Sequence, residues 1–523
     1  MNRAEKRRQQ KLAEKMAKSK RPGGQTLNIN QPLNLAAQHH TNGRLPEAVS
    51  LYQQVLQANP NHPVALQLLG VTALQVGNNE DAVALISKAI AIKPDYADAH
   101  NNLGNAFKNM AKMDDALACY QKAISINPDY ADAHSNLGTV LADQGRLDEA
   151  VASYNKAIAI NPGYAEAYFN LANALLEQGK FDEAFSSFHK NLAIKPDNAD
   201  AHFNLGVALK KQGRVAEAIA SFKATITLNP DYAEAYSNLG AILADQKNFD
   251  EAEQCFLKVI AIQPDDAEAC NNLGITLRNL RRLDEAAKSY RQALSIRPDF
   301  DEAHSNLIFL QDLIPAIDQA EQQAERRRWS DNFIKPLAKH IRPHDNKRDP
   351  ERPLRIGYVS ADFCSHSASL GFAPLITEHD RENFDVFCYD ASPVSDEVNK
   401  TLRSAATQWR DIKKLSDEEL AGIIRNDAID ILVDLSGHTR GNRLKLFGYK
   451  PAPVQVTGIG HLSPGIPTID YRLTTPLMTP PDEERIYPEN PIYLNTYCAY
   501  IPPHDSPPTG PPPCQINGFI TFG

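Results

Sequence analysis

Residues 94–128, PDYADAHNNLGNAFKNMAKMDDALACYQKAISINP, decide the fold. The two prolines that bound this stretch belong to a series at 60, 94, 128, 162, 196, 230, 264 and 298, each 34 residues from the last. Proline forces the chain out of helix and so punctuates the series. Between consecutive prolines lie two segments with apolar residues at helical spacing. In the first, Ala99, Leu103 and Ala106 share a face; in the second, Ala116, Tyr120, Ala123 and Ile124 do. Gly104 recurs as Gly138, Gly206, Gly240 and Gly274. Glycine inside a helix costs about 1 kcal/mol against alanine, so a recurring one needs a packing reason, here the close approach of the paired helix. Each unit is therefore a pair of antiparallel helices. It cannot bury its own apolar face, and stacked neighbours supply the core.

The period and the pattern resemble those of tetratricopeptide repeats. We count eight units from about residue 27 to 298, the first degenerate, with a capping helix over about 299–313. The expected architecture is an α-solenoid, a right-handed superhelix with a long concave groove. That groove carries a polar column. Asn102, Asn136, Asn170, Asn204, Asn238, Asn272 and Asn306 stand 34 residues apart. Four residues before each stands a carboxylate: Asp98, Asp132, Glu166, Asp200, Glu234, Glu268 and Glu302. Residues i and i+4 share a helix face. An asparagine amide offers both donor and acceptor, so a ladder of them suits the peptide groups of an extended chain. The carboxylates would then select hydroxyl or basic side chains. The other reading is that these asparagines bridge neighbouring repeats. Both stay open at this stage.

Composition narrows the function classes. Of 523 residues, 42% are hydrophobic and 23% charged, as in ordinary globular protein. No apolar run approaches the ~18 residues that span a bilayer. The formal net charge of -9 gives the chain as a whole no reason to bind nucleic acid. The charge is uneven: residues 1–22 hold nine Lys/Arg and two Glu, and no apolar core of a secretory signal. Residues 1–26 read as a solvated basic tail. Seven cysteines are scattered without a CxxC pair, which indicates neither a disulfide framework nor a zinc site and fits a reducing, cytoplasmic setting.

The rhythm changes after about residue 314. Residues 314–352 read as a hinge, helical and then polar and basic. From Leu354, strands alternate with helices: LRIGYVS, FDVFCYD, RDIKKL, IDILVD, VQVTGIG and IDYRLTT as strands, SLGFAPLITEHD, DEVNKTLRSAATQW and SDEELAGIIRNDA as helices. Such alternation predicts a parallel α/β lobe, over 353–475. Ligands of such sheets sit at the carboxyl ends of the strands, which marks Asp362 to His366, Asp390 to Pro393, Ser436 to Thr439 and Gly458 to His461. Asp362 and His366 are candidates for acid/base work. The loop SGHTRGNR is a candidate anion site by its backbone N–H groups and the helix it opens. No GxGxxG or Walker loop occurs.

RIGYVSADFCSH (355–366), IDILVDLSGHTRGNRLKLFGYKPAPVQVTGIGH (429–461) and IDYRLTT (469–475) resemble the first catalytic half of the protein O-GlcNAc transferases, in their bacterial and SPINDLY-like branch. Those proteins join tetratricopeptide repeats to two Rossmann-like lobes of the GT-B type. The resemblance covers about 27–523. It implies inverting transfer of N-acetylglucosamine from UDP-GlcNAc to Ser/Thr of proteins without a metal or other cofactor; the SPINDLY branch instead implies GDP-fucose. It implies protein or peptide acceptors in the repeat groove and no nucleic-acid or membrane partner. Asp362 and His366 match the family's D-F-x-x-H, the Asp as a proposed proton acceptor and the His beside the sugar. His438 stands where animal relatives have the Tyr of G-Y-T, Thr439 matches its Thr, and Gly460 and His461 fall beside the donor. Two positions depart: Ala368 replaces a Thr of animal relatives, and Arg326 replaces the His of E-H-R-R-W. In the family a second lobe follows the equivalent of NGFITFG and supplies most of the nucleotide site. Residues 476–523, with twelve prolines over 476–513, therefore read as the interlobe connection and the start of that lobe, and the expectation is a chain carrying half of a two-lobe site, inactive alone. The alternative is a non-catalytic peptide-binding scaffold with a relic lobe.

Overall fold

A computed structural model describes residues 30–349, 351–458, 463–476, 478–479 and 481–494. The basic segment 1–26, Gly460, His461 and residues 495–523 lie outside the described residues. The chain divides into two compact units, Met1–Pro230 and Asp231–Gly523. The repeats expected as one block over 27–313 are shared between them.

The first unit is six helix pairs, from Asn30–Thr41 with Leu45–Ala58 to Ala199–Lys211 with Val215–Leu228. The recurring glycine has the expected role. A Cβ on Gly104 would lie 2.5 Å from the Tyr120 ring, and one on Gly138 2.7 Å from the Tyr154 ring. Tyr120 is fully buried and Tyr154 nearly so, so each aromatic ring of a second helix seats on the bare backbone of the first. Ala99, Leu103, Ala106, Ala116, Tyr120 and Ala123 are buried, and Ile124 is half-buried. Helix pairs turn on a left-handed residue. It is glycine at Gly145 (φ 72°), but Ala111 (φ 56°), Lys247 (φ 61°) and Arg281 (φ 64°) take the same conformation without glycine's freedom.

The second unit continues the pattern with two pairs, Ala233–Asp245 with Phe249–Ile262 and Ala267–Asn279 with Leu283–Ile296. Then come α1 (Asp301–Gln311) and α2 (Gln319–Phe333). Next is a sheet of seven strands: β1 (Leu354–Ser360), β2 (Phe384–Asp390), β3 (Gln408–Asp411), β4 (Ile431–Asp434), β5 (Val454–Thr457), β6 (Tyr471–Thr474) and β7 (Asn490–Tyr493). All six ladders are parallel, in the order β3-β2-β1-β4-β5-β6-β7. The crossovers carry α3 (Ser367–Thr377), α4 (Glu397–Ala405), α5 (Asp417–Asn426) and α6 (Leu444–Gly448). The architecture is thus paired-helix repeats followed by a doubly wound Rossmann-like lobe.

Side chains alternate across the strands, and the two faces have separate cores. Ile356, Tyr358, Val386, Cys388 and Val433 pack on one face with Phe372 and Leu402. Val359, Phe387, Tyr389 and Leu432 pack on the other. This second core also takes in Ile308 of α1 and Trp329 of α2, so the last repeat helix and the lobe share one apolar interior.

Three expectations need correction. Within 314–352 the helical part is packed, with Trp329 and Arg326 of α2 buried, whereas 341–349 has no regular structure and is mostly exposed until Arg352 forks onto both oxygens of Asp430 at 2.7 Å. The weaker strand is Gln408–Asp411 and not RDIKKL, because its Trp409 is packed on the core below β1 and β2. The proline-rich stretch after 475 holds a 3-10 turn, Pro481–Ile486, and the edge strand β7, paired to β6. Pro491 is tolerated there because β7 has no second neighbour among the described residues.

Candidate functional site

β1 and β4 are neighbours, and the chain leaves β1 toward β2 on one side and β4 toward β5 on the other. This is the topological switch point, where an open α/β sheet leaves a crevice at its carboxyl edge. The loops after β1 and β4 meet there. The Ala361 amide donates to Ser436 Oγ at 3.2 Å, and Ser360 Oγ lies 3.4 Å from the same atom.

The loop after β4 uses its polar groups internally. Asp434, 2% exposed, ends the strand. Its carboxylate accepts from the amides of Ser436 (3.1 Å) and Gly437 (3.2 Å) and from Thr457 Oγ1 (2.9 Å). Thr439 Oγ1 donates to the Ser436 carbonyl at 2.8 Å. Arg443 is committed to Asp417 and to the carbonyls of Ile412 and Leu415. The anion site expected of SGHTRGNR is therefore not formed by these groups: two of its amides face a carboxylate, and α6 is only five residues long.

His438 is buried, wedged between α1, α2 and the lobe. Nε2 lies 3.1 Å from the Pro464 carbonyl, which can only accept, so Nε2 carries the proton. Nδ1 lies 3.2 Å from Ser305 Oγ of α1 and accepts from it in the neutral ring. The Trp329 ring meets the imidazole edge-on at 4.8 Å between centroids. The resemblance implies a place for His438, with Thr439, in a donor/acceptor pocket; in the structure its two ring nitrogens meet Ser305 and Pro464, which ties the last repeat helix to the β4 loop.

The loop after β1 has its backbone pinned and buries Ala361, Phe363 and Cys364, so that only Ser365 and His366 are exposed, beside a sheltered Asp362. The Asp362 amide donates to Ser360 Oγ (2.9 Å) and the Ser365 amide to Asp396 (2.6 Å). Asn399 Nδ2 reaches both the Phe363 carbonyl (2.8 Å) and Asp390 (3.1 Å) at the end of β2. His366 caps α3, its Nδ1 accepting from the Ala368 amide at 3.3 Å, which leaves the proton on Nε2. Nδ1 lies 3.7 Å from Asp362 Oδ1. That is beyond hydrogen-bond reach. The Asp362 side chain is 14% exposed and that of His366 49%. A carboxylate and an imidazole thus stand together at the crevice, one sheltered and one open to solvent.

On the repeats, the asparagine column splits. Asn136 donates to Asn101, Asn204 to Asn173 and Asn306 to Asn271, each at 3.0 Å and each across to the preceding repeat. Asn238 donates to the Glu234 carbonyl within its own helix. Asn102, Asn170 and Asn272 are half-buried. The carboxylates beside them are exposed, and some reach the next repeat. Glu268, by contrast, accepts from Arg297 at the end of its own helix pair, at 2.9 Å. Burial and then the Asp132 charge push the Tyr164 hydroxyl up to about 12. Asp98 acts likewise on Tyr130, after burial.

Sequence reasoning missed Asp434, Asn399 and Asp396. Asp434 was legible as an acidic residue closing an apolar strand; the other two act through contacts more than twenty residues away. Among the described residues no group of three His, Cys, Asp or Glu side chains is arranged to hold a metal.

Residues 333–505 match Glycosyl transferase family 41. Tetratricopeptide repeat families match at 40–106, 97–130 and 231–299, among other stretches. A relative from Arabidopsis thaliana, "Probable UDP-N-acetylglucosamine--peptide N-acetylglucosaminyltransferase SPINDLY", is 38% identical over 203 residues, 38% of this chain and 22% of the relative. The protein of the same description from Oryza sativa subsp. japonica is 39% identical over 205 residues, again 38% and 22%. The match therefore spans about a fifth of these relatives' length. Among solved structures, a mutant of the Thermobaculum terrenum O-GlcNAc transferase superposes with TM-score 0.54 and 31% identity over 60% of each chain.

Proposed function

We propose, starting from an O-GlcNAc transferase-like chain in which tetratricopeptide repeats precede a glycosyl transferase family 41 region, that the protein moves a sugar from a nucleotide-sugar to Ser or Thr of other proteins. UDP-GlcNAc is the donor we assign. The observation that carries this reading is the placement of Asp362 and His366 at the switch point of a lobe within the family-matched segment.

The chemistry follows from that placement. The acceptor hydroxyl attacks the anomeric carbon; the bond from that carbon to the diphosphate breaks, and the diphosphate leaves with its electron pair. The configuration inverts. The hydroxyl proton passes to a base, and Asp362 is the base we assign, sheltered enough for its carboxylate to act on a bound hydroxyl. His366, with its proton on Nε2, is placed to donate to a sugar or acceptor oxygen. Ser436, Asp434 and His438 hold the crevice floor. Groove residues of the repeats, Asn102, Asn170 and Asn272 among them, would hold the acceptor chain. The five described cysteines are free, in keeping with a cytoplasmic setting.

The test is incubation of the protein, with both lobes of the site present, with a serine-rich peptide and, separately, UDP-GlcNAc or GDP-fucose, followed by mass spectrometry. We expect the mass of one N-acetylhexosamine on the peptide. Transfer from GDP-fucose alone would reassign the donor. Peptide binding without transfer from either donor would favour the second reading, a peptide-binding scaffold, which the three asparagine bridges do not themselves exclude.

A further inference from the structure

A second column on the repeat helices carries information that the asparagines do not. One position before the groove asparagine, the sequence reads Asn101 and Ser135 in two repeats, then Phe169 and Phe203, then Ser237 and Asn271. Polar residues give way to phenylalanine in two adjacent repeats of the first unit.

Helix geometry fixes where these rings stand. At 100° per residue, Phe169 falls on the arc of Glu166, Asn170 and Asn173, away from the buried Ala167, Leu171 and Leu175. Phe203 falls likewise beside Asp200 and Asn204, away from the buried Ala201, Leu205 and Leu209. The bond from Asn204 Nδ2 to Asn173 Oδ1, 3.0 Å, brings these two arcs into register. The phenylalanines flank it, one residue before Asn204 and one turn before Asn173. Both rings are half-buried. Phe169 leans edge-on against Phe188 (6.2 Å between centroids) and Phe203 tilts against Phe222 (5.9 Å). Phe188 and Phe222 are fully buried, so the outer rings rest on a rigid base. A contact surface held in place before binding loses little entropy on use.

The surroundings set the charge of what fits. Asp132, Glu166 and Asp200 are exposed along the N-terminal edge of this face. Asp143 and Glu177 are exposed at the other edge, followed by the only basic pair there, Lys210 and Lys211. An aromatic platform between rows of carboxylates suits an apolar side chain with cationic neighbours.

We propose that Phe169 and Phe203 form a specificity platform that takes one aliphatic or aromatic side chain of an extended protein segment flanked by lysine or arginine. This rests on the reading that the repeats hold acceptor proteins. It adds to that reading a sequence preference that a uniform asparagine ladder does not impose.

Fluorescence anisotropy with three labelled peptides tests it. Each has a Ser/Gly-rich body; the centres are Lys-Leu-Lys, Lys-Ser-Lys and Glu-Leu-Glu. The protein should bind the first at least about tenfold tighter than either other peptide, the scale of one well-buried apolar anchor. The F169S/F203S variant should lose the preference for Leu over Ser while binding Lys-Ser-Lys unchanged. Serine occupies the same position at Ser135 and Ser237, so the fold has precedent for it, and an unchanged thermal transition checks this. F169L/F203L should keep the preference, which guards against a purely structural effect. Equal binding of all three peptides by the unsubstituted protein would overturn the platform and leave the groove reading standing. Retained preference in F169S/F203S would also overturn it. No binding of any peptide would overturn both.

Discussion

Two loops meet at one crevice and differ in what they do with their histidine and their carboxylate. The loop after β4 turns its side chains inward: Asp434 holds two amides and a hydroxyl, and His438 reaches Ser305 and Pro464. The loop after β1 has its backbone held by Ser360, Asp396 and Asn399; it buries Phe363 and Cys364 and leaves His366 exposed beside a sheltered Asp362. The contrast teaches that a motif residue at a strand end can be spent on holding the fold. His438 and His366 are both histidines after parallel strands, yet one is a structural tie and the other faces solvent.

The contrast breaks or sharpens under substitution. The largest effect expected is on turnover. In the protein with both lobes present, Asp362→Asn should lower sugar transfer by about 10²–10⁴-fold, the usual contribution of a positioned base. Its urea midpoint should stay near that of the unsubstituted protein. Steady-state kinetics beside a denaturation curve checks both halves, and unchanged turnover would remove Asp362 from the mechanism. Asp434→Ala should do the reverse. It strands two buried amides and the Thr457 hydroxyl, at a cost of about 2–4 kcal/mol in the stability of the second unit, read from the same denaturation curves. A loss below 1 kcal/mol would show that the β4 loop does not depend on it.

His438→Ala should cost slightly less, about 2–3 kcal/mol, since it removes two hydrogen bonds and the Trp329 contact but leaves a site that water can enter. Trp329 fluorescence should change with it; an unaltered emission would contradict the joint. The smallest effect is on pH dependence. Burial, and then the Arg381 charge, hold the His379 pKa below its usual 6.5. The folded state therefore binds this proton less tightly than the unfolded chain. Stability from this group is complete above pH 6.5 and declines as pH falls through the folded-state value. His379→Gln should flatten the melting-temperature profile over that window. A residual slope is expected, because burial depresses His344 in the same direction.

What the sequence made legible follows from range. The 34-residue period gave the helix pairs, because spacing, punctuating proline and packing glycine are all local signals. The strand–helix alternation likewise gave the parallel lobe, and with it the carboxyl-edge location of Asp362 and His366. β7 was hidden because Asn490–Tyr493 is four residues with a proline in a proline-rich stretch, and only its pairing to β6 makes it a strand. The role of His438 was hidden for another reason: Ser305 is 133 residues away, and no pattern near His438 records it. The packed state of α2 was hidden because Arg326, Glu325 and Trp329 read as part of a polar helix until Asp312, His304 and Asp301 are seen opposite them.

A crystal structure of the protein with UDP-GlcNAc and a serine peptide bound tests the central claim most directly. The account predicts the sugar and the serine hydroxyl above the carboxyl ends of β1 and β4, with the Asp362 carboxylate within hydrogen-bond reach of that hydroxyl. Donor and acceptor meeting elsewhere, with Asp362 facing only solvent, would contradict it.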